Sequence, residues 1–276
     1  MFNYFKQSLA RKKARRVTQE YPPIVSKVVL EKDGAIDFAN WSNPLVPPFE
    51  LTQAGVDFFR QFIQEGDLAI DIGANIGDTT VPMALAAGPS GLTLGFDPNP
   101  YVFKILEANA ALNKDKTNIS PQPYAISKDE DEFYFVSSEA SFGNGGISPT
   151  KESIHGKFVY PHKIKGVDLN NFLKRECAHK IDRLAFIKID TEGYDKEIIK
   201  SIRGLIQQYK PVIVAESFGA SSDEAKMELF EVIHRDGYRI FYFESFDINT
   251  PVQALEKKED MTRWKDTMNI YATPIK

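Results

Sequence analysis

Leu68-Ala69-Ile70-Asp71-Ile72-Gly73-Ala74-Asn75-Ile76-Gly77-Asp78-Thr79-Thr80 is the stretch that decides the fold of this chain. Its first five residues are apolar except for Asp71, which is typical of a strand buried on both faces of a sheet. The strand runs into a turn that holds Gly73 and Gly77, and a helix capped near Asp78 follows. Because glycine has no Cβ atom, the backbone of this turn can pass close beneath a ligand. The stretch therefore predicts a strand, a ligand-binding turn and a helix.

The same turn indicates a class of ligand. A dinucleotide-binding turn has the pattern G-x-G-x-x-G and holds a pyrophosphate at the helix N-terminus. Here Asn75 stands where the middle glycine would be, and Asp78 would repel a phosphate at the start of the helix. We therefore expect a nucleoside that lacks phosphates and carries an ammonium group, which the acidic Asp71 can help to hold. The turn residues assigned to this ligand are Asp71, Gly73, Ala74, Asn75 and Gly77.

Outward from this stretch, short apolar runs alternate with helical patterns. The runs span residues 68–72, 92–96, 184–189, 212–215 and 238–243, and the helical patterns span residues 79–87, 101–112, 196–207 and 223–235. Alternation of strand and helix produces right-handed parallel crossovers. The predicted fold class is α/β, with a doubly wound, mostly parallel sheet that a hairpin of its last two strands closes.

A second candidate site follows the second strand, in Asp97-Pro98-Asn99-Pro100. An acid at this position of a doubly wound unit accepts hydrogen bonds from both ribose hydroxyls, and we assign that role to Asp97, with Pro98 and Asn99 beside it. Asn99 can also cap the next helix. The alternative is that these four residues form only a turn. After the third strand, Ala125 and Ile126 either line the adenine or belong to the core.

The remaining segments suggest how the chain is organised. We expect a basic arm at residues 1–20, a lead-in segment with a helix at 21–66, and the cofactor-binding domain at 67–276. Prolines break residues 21–50 so often that a wrapping segment is expected there rather than a packed one. Glycine-rich loops and short strands make residues 127–166 a β-rich insertion, and residues 245–266 form a second, polar insertion.

Charge is distributed unevenly along the chain. The first sixteen residues carry six positive charges and no acid, whereas the net charge of the whole chain is −4, so the other 260 residues sum to −10. An acidic body argues against nucleic acid as a partner. The arm either forms a short amphipathic helix on an anionic membrane surface or frays in solvent. No apolar run has the length of a signal peptide or a membrane span, and the single cysteine suits a reducing compartment, so we expect a cytoplasmic protein.

Four motifs resemble the FkbM-type methyltransferase family over roughly residues 65–245. They are residues 71–77, residues 96–100, Val167-Asp168-Leu169 before a helix, and Lys188-Ile189-Asp190-Thr191-Glu192-Gly193-Tyr194-Asp195. The family usually has glutamate in place of Asp97, and threonine-leucine-aspartate in place of residues 166–168. The resemblance implies the seven-stranded, Rossmann-like methyltransferase sheet, S-adenosylmethionine as cofactor, and methyl transfer to a hydroxyl oxygen, often on a sugar, glycan or natural product.

The acidic turn at residues 190–195 would then lie beside the methyl position. Asp190 and Glu192 are the candidate catalytic residues, because a base helps when the acceptor hydroxyl must lose its proton. Asp190 has two other possible roles, contact with the sulfonium side of the cofactor and ion pairing with Lys188. The cluster with Glu216 would be an alternative metal site, but no histidine joins it and no metal is expected. We expect Asp195 to be a helix N-cap.

Two other functions share this sheet. An NAD(P)-dependent oxidoreductase or epimerase of nucleotide sugars would require a dinucleotide fingerprint besides a Tyr-x-x-x-Lys pair, and the sequence lacks that fingerprint. A domain that binds the cofactor without catalysis is the other alternative. His155 and His162 lie in the first insertion, where either would be a base if its loop closed over the site, or simply a solvated loop residue.

Overall fold

The computed structural model describes residues 2–128, 130–191 and 193–275, and places eight α-helices and fourteen strands in them. The helices are α1 (Phe2–Ala14), α2 (Gln53–Arg60), α3 (Thr80–Ala87), α4 (Phe103–Ala111), α5 (Leu169–Glu176), α6 (Asp195–Ser201), α7 (Arg203–Tyr209) and α8 (Asp223–His234). The strands are β1 (Pro23–Leu30), β2 (Gly34–Trp41), β3 (Leu68–Ile72), β4 (Leu92–Phe96), β5 (Ile119–Gln122), β6 (Ala125–Ile126), β7 (Glu132–Ser137), β8 (Gly146–Ser148), β9 (Phe158–Val167), β10 (Leu184–Ile189), β11 (Val212–Ser217), β12 (Tyr238–Phe243), β13 (Val252–Leu255) and β14 (Met268–Pro274).

The main sheet has the order β13-β12-β14-β11-β10-β3-β4-β5. Neighbours from β11 to β5 are parallel, and β14 is antiparallel to both β11 and β12. This confirms the doubly wound, mostly parallel fold with an antiparallel closing pair. The sheet has eight strands rather than seven, because part of the polar insertion at residues 245–266 forms β13 and pairs with the edge of β12.

Alternate residues of the central strands face opposite sides of the sheet. In β3, Leu68, Ile70 and Ile72 belong to the largest core cluster, which includes residues of α5 to α8, whereas Ala69 packs with residues of α2 and α3. Phe186 of β10 also lies on the second side. Both faces of the parallel strands are therefore covered, which explains why these strands are almost continuously apolar in sequence.

The lead-in segment is packed, which corrects the expectation of a wrapping stretch. β1 and β2 form an antiparallel hairpin, and Ile36, Phe38 and Trp41 are buried in a core shared with α4. The prolines do not interrupt this hairpin: residues 22 and 23 lie where β1 begins, and the others follow β2. Proline is compatible with the first residue of a strand, so the proline count did not indicate an unpacked segment.

The helix predicted at residues 196–207 is two helices, α6 and α7, with Ile202 between them in a non-helical conformation (φ −101°, ψ 14°). The hydroxyl of Ser201 donates to the Ile198 carbonyl (2.7 Å), and the Asn170 side chain donates to the Ser201 carbonyl (3.2 Å). Side-chain hydrogen bonds of this kind compete with the helical backbone pattern. The periodicity of the apolar residues continues through the break, which is why the sequence predicts one helix.

The first insertion is β-rich, as expected, and forms a four-stranded sheet in the order β6-β9-β7-β8. Its pairing begins at Ala125, with β6 parallel to the end of β9. This sheet follows β5 directly, so it lies next to the edge where the parallel strands of the main sheet end. In the part of the chain that the model describes, no helix is long and apolar enough to cross a bilayer.

Candidate active site

The carboxyl ends of three adjacent strands, β4, β3 and β10, are joined by backbone hydrogen bonds. The amides of Gly73 and Ala74 both donate to the Phe96 carbonyl of β4 (2.9 and 3.0 Å), and the Asp190 amide donates to the Ile72 carbonyl of β3 (3.0 Å). The turn after β3 is thereby fixed between its two neighbours. A cavity of about 690 Å³ opens over these strand ends. Ligands of open α/β sheets bind at this edge.

Glycine is required in the turn by neighbouring protein as well as by backbone conformation. Gly73 and Gly77 both have positive φ (+77° and +97°). A Cβ on Gly73 would collide with the carbonyl oxygen of Asp190, and one on Gly77 would lie 3.2 Å from Leu106 Cδ1 of α4. The sequence argument assigned these glycines to close approach of a ligand. The structure shows that these glycines also leave room for the end of β10 and for α4. Gly73 in addition lines the cavity.

Asp71 points away from the cavity and into the protein. It is fully buried, and its Oδ2 accepts hydrogen bonds from the hydroxyls of Thr79 and Thr80 (2.7 Å each). Its Oδ1 lies 3.2 Å from Nζ of Lys188. Asp71 therefore organises the turn from behind, and it is not among the cavity-lining residues, nor are Ala74 and Gly77.

Lys188 links the buried acid to the cavity. Its ammonium lies 3.4 Å from Asp190 Oδ2, besides its contact with Asp71, and donates to the Gly73 carbonyl (3.2 Å). Burial lowers the pKa of this lysine, but the carboxylates of Asp71, Asp190 and Asp78 raise it more, so the net direction is upward and the side chain is charged. Burial has the opposite effect on an acid, and it raises the pKa of Asp78 to about 6. One cation thus faces three acids, which leaves this end of the cavity with an excess of acidic groups.

Asp97 closes β4 and faces the cavity from the other side. Its two carboxylate oxygens accept hydrogen bonds from the backbone amides of Asn75 and Asn99 (2.8 Å each). Burial raises the pKa of Asp97 to about 7, although these two amides lower it. Each oxygen keeps a further lone pair for a donor. The pair of hydroxyls on a ribose fits this acceptor.

The remaining predicted residues divide into those that line the cavity and those that do not. Pro98, Asn99, Ala125, Ile126 and Asp190 line it, together with Gly73, Asn75 and Asp97. Asn99 does not cap α4 directly: its Oδ1 accepts from the Tyr101 amide (3.1 Å), while its Nδ2 donates to the Phe142 carbonyl (2.8 Å) and so ties β4 to the insertion. Glu192 lies outside the described residues.

Asp195 is not the helix N-cap that the sequence suggested. It is the first residue of α6 and is buried, and its carboxylate accepts from the amide and hydroxyl of Thr191 (3.2 and 2.9 Å) and from the Glu216 amide of β11 (3.0 Å). It therefore holds the acidic turn against the next strand, and burial raises its pKa to about 6. Glu216 lines a smaller neighbouring pocket and not the main cavity with Asp190.

The inserted sheet and the second insertion supply cavity residues that the sequence did not assign. They include Phe133, Phe135, Gly143, Asn144, Gly145, Gly146, Ile154, His155 and Phe246. The glycine-rich run and His155 were visible as features of a loop, whereas nothing in the sequence distinguished Phe246 from other aromatic residues. His155 packs on the backbone of Gly146, and burial lowers its pKa. His162 does not line the cavity.

Taken together, the cavity suits a nucleoside that carries a cationic amino-acid group. Asp97 offers two acceptor oxygens to a pair of hydroxyl groups, and the apolar Ala125 and Ile126 line the same cavity. The acidic excess around Asp190 favours a positive charge at the other end. The volume of the cavity is within the range of about 300 to 1,000 Å³ that is usual for small-molecule sites.

A sequence model of a protein family, described as the methyltransferase FkbM domain, matches residues 71–240 of the chain. No curated protein sequence matches. Similar solved structures include an FkbM methyltransferase from Methylobacillus flagellatus KT, with 15% identity, a TM-score of 0.45, and coverage of 76% of this chain and 44% of that one. An S-adenosylmethionine-dependent O-methyltransferase from Thermotoga maritima has 12% identity, a TM-score of 0.41, and coverage of 83% and 68%. Precorrin-6y C5,15-methyltransferase from Geobacter metallireducens GS-15 has 13% identity, a TM-score of 0.39, and coverage of 79% and 86%.

At these TM-scores the structural likenesses carry no information about the acceptor, and the assignment rests on the domain match, which spans more than half of the chain. That match displaces the oxidoreductase alternative, and it agrees with the motifs at residues 71–77 and 188–195. The chain belongs to the FkbM family of methyltransferases, whose cofactor is S-adenosylmethionine.

Proposed function

We propose that this methyltransferase acts on a hydroxyl oxygen of a sugar, a glycan or a natural product. The observation that carries the proposal is the position of Asp190. Its carboxylate lines the cavity at the end of β10, and 40% of its side-chain surface is exposed, whereas Asp71 and Asp97 are buried. Asp190 can therefore meet an acceptor from solvent, while Lys188 holds one of its oxygens from behind.

Different residues of the chain would contact different parts of the cofactor. Asp97 would accept hydrogen bonds from the ribose hydroxyls, and Ala125 and Ile126 would contact the adenine. Gly73 and Asn75 would lie beneath the amino-acid part, whose ammonium group the acidic end of the cavity attracts. When bound, S-adenosylmethionine supplies a methyl group activated by the positive charge on its sulfur.

The protein then has to place the acceptor and receive a proton. Holding the acceptor in line with the methyl group can account for about 7 to 11 kcal/mol of the barrier. A hydroxyl also has to lose its proton as its oxygen forms the new bond, and Asp190 is placed to accept that proton. Glu192, two residues after Asp190 in the sequence, is the second candidate for this role.

Aromatic rings line the same cavity as Asp190. Tyr194 (46% exposed) and Phe246 line the cavity with it. A sugar offers both a hydroxyl for the carboxylate and an apolar face of C–H groups for the rings, as do many hydroxylated natural products. This pairing of groups supports a hydroxyl acceptor of that kind.

The proposal is tested by incubating the protein with S-adenosylmethionine and a panel of monosaccharides, oligosaccharides, polyols and phenols. Formation of S-adenosylhomocysteine reports turnover, and NMR of the product locates the methyl group. We expect a methoxy product with at least one hydroxyl acceptor, and loss of turnover in Asp190→Asn. A product methylated only on nitrogen or carbon would contradict the proposal, as would a protein that binds the cofactor but methylates no hydroxyl compound.

A further inference from the structure

Helix α1 presents a stripe of apolar and basic side chains to solvent. Phe5 (60% exposed) and Leu9 (65% exposed) are four residues apart, and Lys12 follows three residues later, so all three lie on one face of the helix. The opposite face contains Ala10 and the fully buried Ala14. The helix is therefore seated on the protein by its small residues, with its large apolar side chains turned outward.

Exposed apolar side chains are frequent in this part of the sequence. Six of the eleven large apolar side chains that are exposed in the described residues lie between residues 5 and 29. Scattered apolar residues on a surface need no explanation, but a cluster of them marks a surface that contacts another body. Phe5 and Leu9, one helical turn apart on α1, are such neighbours.

The positive charge of the N-terminal arm indicates which kind of surface it can bind. The first sixteen residues contain six cations and no acid, while the rest of the chain has a net charge of −10. Lys12 and Lys13 are exposed on or beside the apolar stripe. A surface that is both anionic and apolar beneath its charged layer matches this stripe, and an anionic lipid bilayer has both properties.

The same helix is attached to the wall of the active-site cavity. The Ala140 amide donates to the Arg15 carbonyl just after α1 (3.3 Å), and Arg11 Nε donates to the Pro44 carbonyl (3.3 Å). Residue 140 belongs to the loop that continues into Gly143 and Asn144, both of which line the cavity. A surface that holds α1 would therefore also lie close to this loop.

We propose that α1 docks the protein on an anionic membrane surface, with Phe5 and Leu9 inserted among the lipids and Lys12 and Lys13 paired with their headgroups, and that this brings the cavity loop at residues 140–144 near the bilayer. The proposal does not depend on the chemistry of methyl transfer. Lipid binding can be measured without acceptor or cofactor, so failure of one proposal leaves the other standing.

The experiment is co-sedimentation of the full chain with vesicles of phosphatidylcholine alone or mixed with phosphatidylglycerol. We expect binding to the mixed vesicles only, and weaker binding as ionic strength rises. One lysine near an anionic surface contributes about 1 kcal/mol, or about fivefold in affinity. The variant Lys12→Glu/Lys13→Glu should therefore lose at least about tenfold in affinity, and Phe5→Gln/Leu9→Gln should lose at least about tenfold because its apolar contacts are removed while helix-forming residues are kept.

A charge-matched control is Lys174→Glu/Lys265→Glu, which alters two exposed lysines elsewhere on the protein and should change binding far less. Circular dichroism and thermal unfolding show that each variant is folded. Three results would overturn the proposal. They are equal sedimentation with both vesicle types, parental affinity in both arm variants, and, in the absence of vesicle binding, a dimer that dissociates in Phe5→Gln/Leu9→Gln, which would mean that a second copy covers the stripe.

Discussion

The carbonyl group of Asp190 occupies the space in which a side chain on Gly73 would begin, with its carbon atom 3.0 Å from the ideal Cβ position. Two motifs that are more than a hundred residues apart in sequence thus interlock at the end of the sheet. The glycine of the cofactor turn is needed for this contact before any ligand binds, so changes at Gly73 affect the fold of the site as well as its occupancy.

We expect Gly73→Ala to destabilise the protein strongly. Its φ of +77° is strained for any residue with a Cβ, on the order of 1 to 3 kcal/mol, and the collision with Asp190 adds to that cost. Gly204→Ala in α7 is the control, because no atom outside its own helix backbone lies within 4 Å of its new Cβ, and it should be neutral or stabilising by up to about 1 kcal/mol. Urea unfolding measures both changes. An effect of Gly73→Ala as small as that of Gly204→Ala would show that the turn adjusts without cost.

Asp97→Asn should weaken cofactor binding without unfolding the protein. Asparagine keeps one oxygen but replaces the other with an NH₂ group that cannot accept from a ribose hydroxyl or from a backbone amide. Loss of hydrogen bonds to a charged group costs about 1.5 to 3 kcal/mol, which is roughly tenfold to a hundredfold in affinity. Isothermal titration calorimetry with S-adenosylhomocysteine measures it.

Asp168→Asn is the matched control for that experiment. Asp168 caps α5 through a hydrogen bond from the Asn171 amide (2.8 Å), and asparagine is an equally good N-cap. We expect the cofactor affinity of this variant to equal that of the parent. If both variants lost affinity alike, Asp97 would have no specific part in binding.

Cofactor affinity should rise with pH through neutrality. Burial raises the pKa of Asp97 to about 7, so part of the free protein carries a proton there, whereas ribose hydroxyls that donate to the carboxylate favour its ionised form. Binding then releases a proton below about pH 7, and affinity falls by up to about tenfold for each further pH unit of acidification. Calorimetry in buffers of different ionisation enthalpy counts the released protons. The slope should be shallower in Asp97→Asn, and an equal slope there would assign the titration to another group, such as Asp78.

Asp190→Asn should reduce kcat by about a hundredfold to ten-thousandfold, because the amide cannot accept the hydroxyl proton. Cofactor affinity should fall by a smaller factor, since the variant removes only one of the acids at that end of the cavity and keeps Asp71 and Asp78. Glu192→Gln distinguishes the two acids of the turn: it should retain most of the activity if Asp190 is the base. Steady-state assays with the best acceptor decide between them, and the reverse ranking of the two variants would transfer the role to Glu192.

Lys188→Met should cost about 3 to 5 kcal/mol of stability, because it leaves the fully buried carboxylate of Asp71 without its cation. Asp71→Asn/Lys188→Met removes both charges and should recover part of that loss. Urea unfolding of the two single variants and the double variant gives the coupling energy. If the effects of the single variants simply added, the pair would not interact as the structure indicates.

Much of the fold could be predicted from local patterns alone. Apolar runs such as residues 68–72 and 184–189 are strands because almost every side chain in them is buried, and this composition is visible without knowing which neighbour buries it. The eighth strand and the β1–β2 hairpin were missed for the converse reason. Val252 of β13 is exposed and β1 is exposed for most of its length, so neither strand has a continuous apolar pattern.

The sequence by itself determined the alternation of strands and helices in the central parallel sheet, the methyltransferase family, and the two turns that carry the candidate cofactor residues, because each of these depends on residues close together in the chain. Only the tertiary structure decided which way those residues face. The register between β3 and β10 places Lys188 opposite Asp71, and the acid therefore points toward that lysine instead of the cavity, while Asp97 and Asp190 remain available to ligands. Pairing between strands more than a hundred residues apart depends on how the whole sheet assembles, and local sequence does not contain that information.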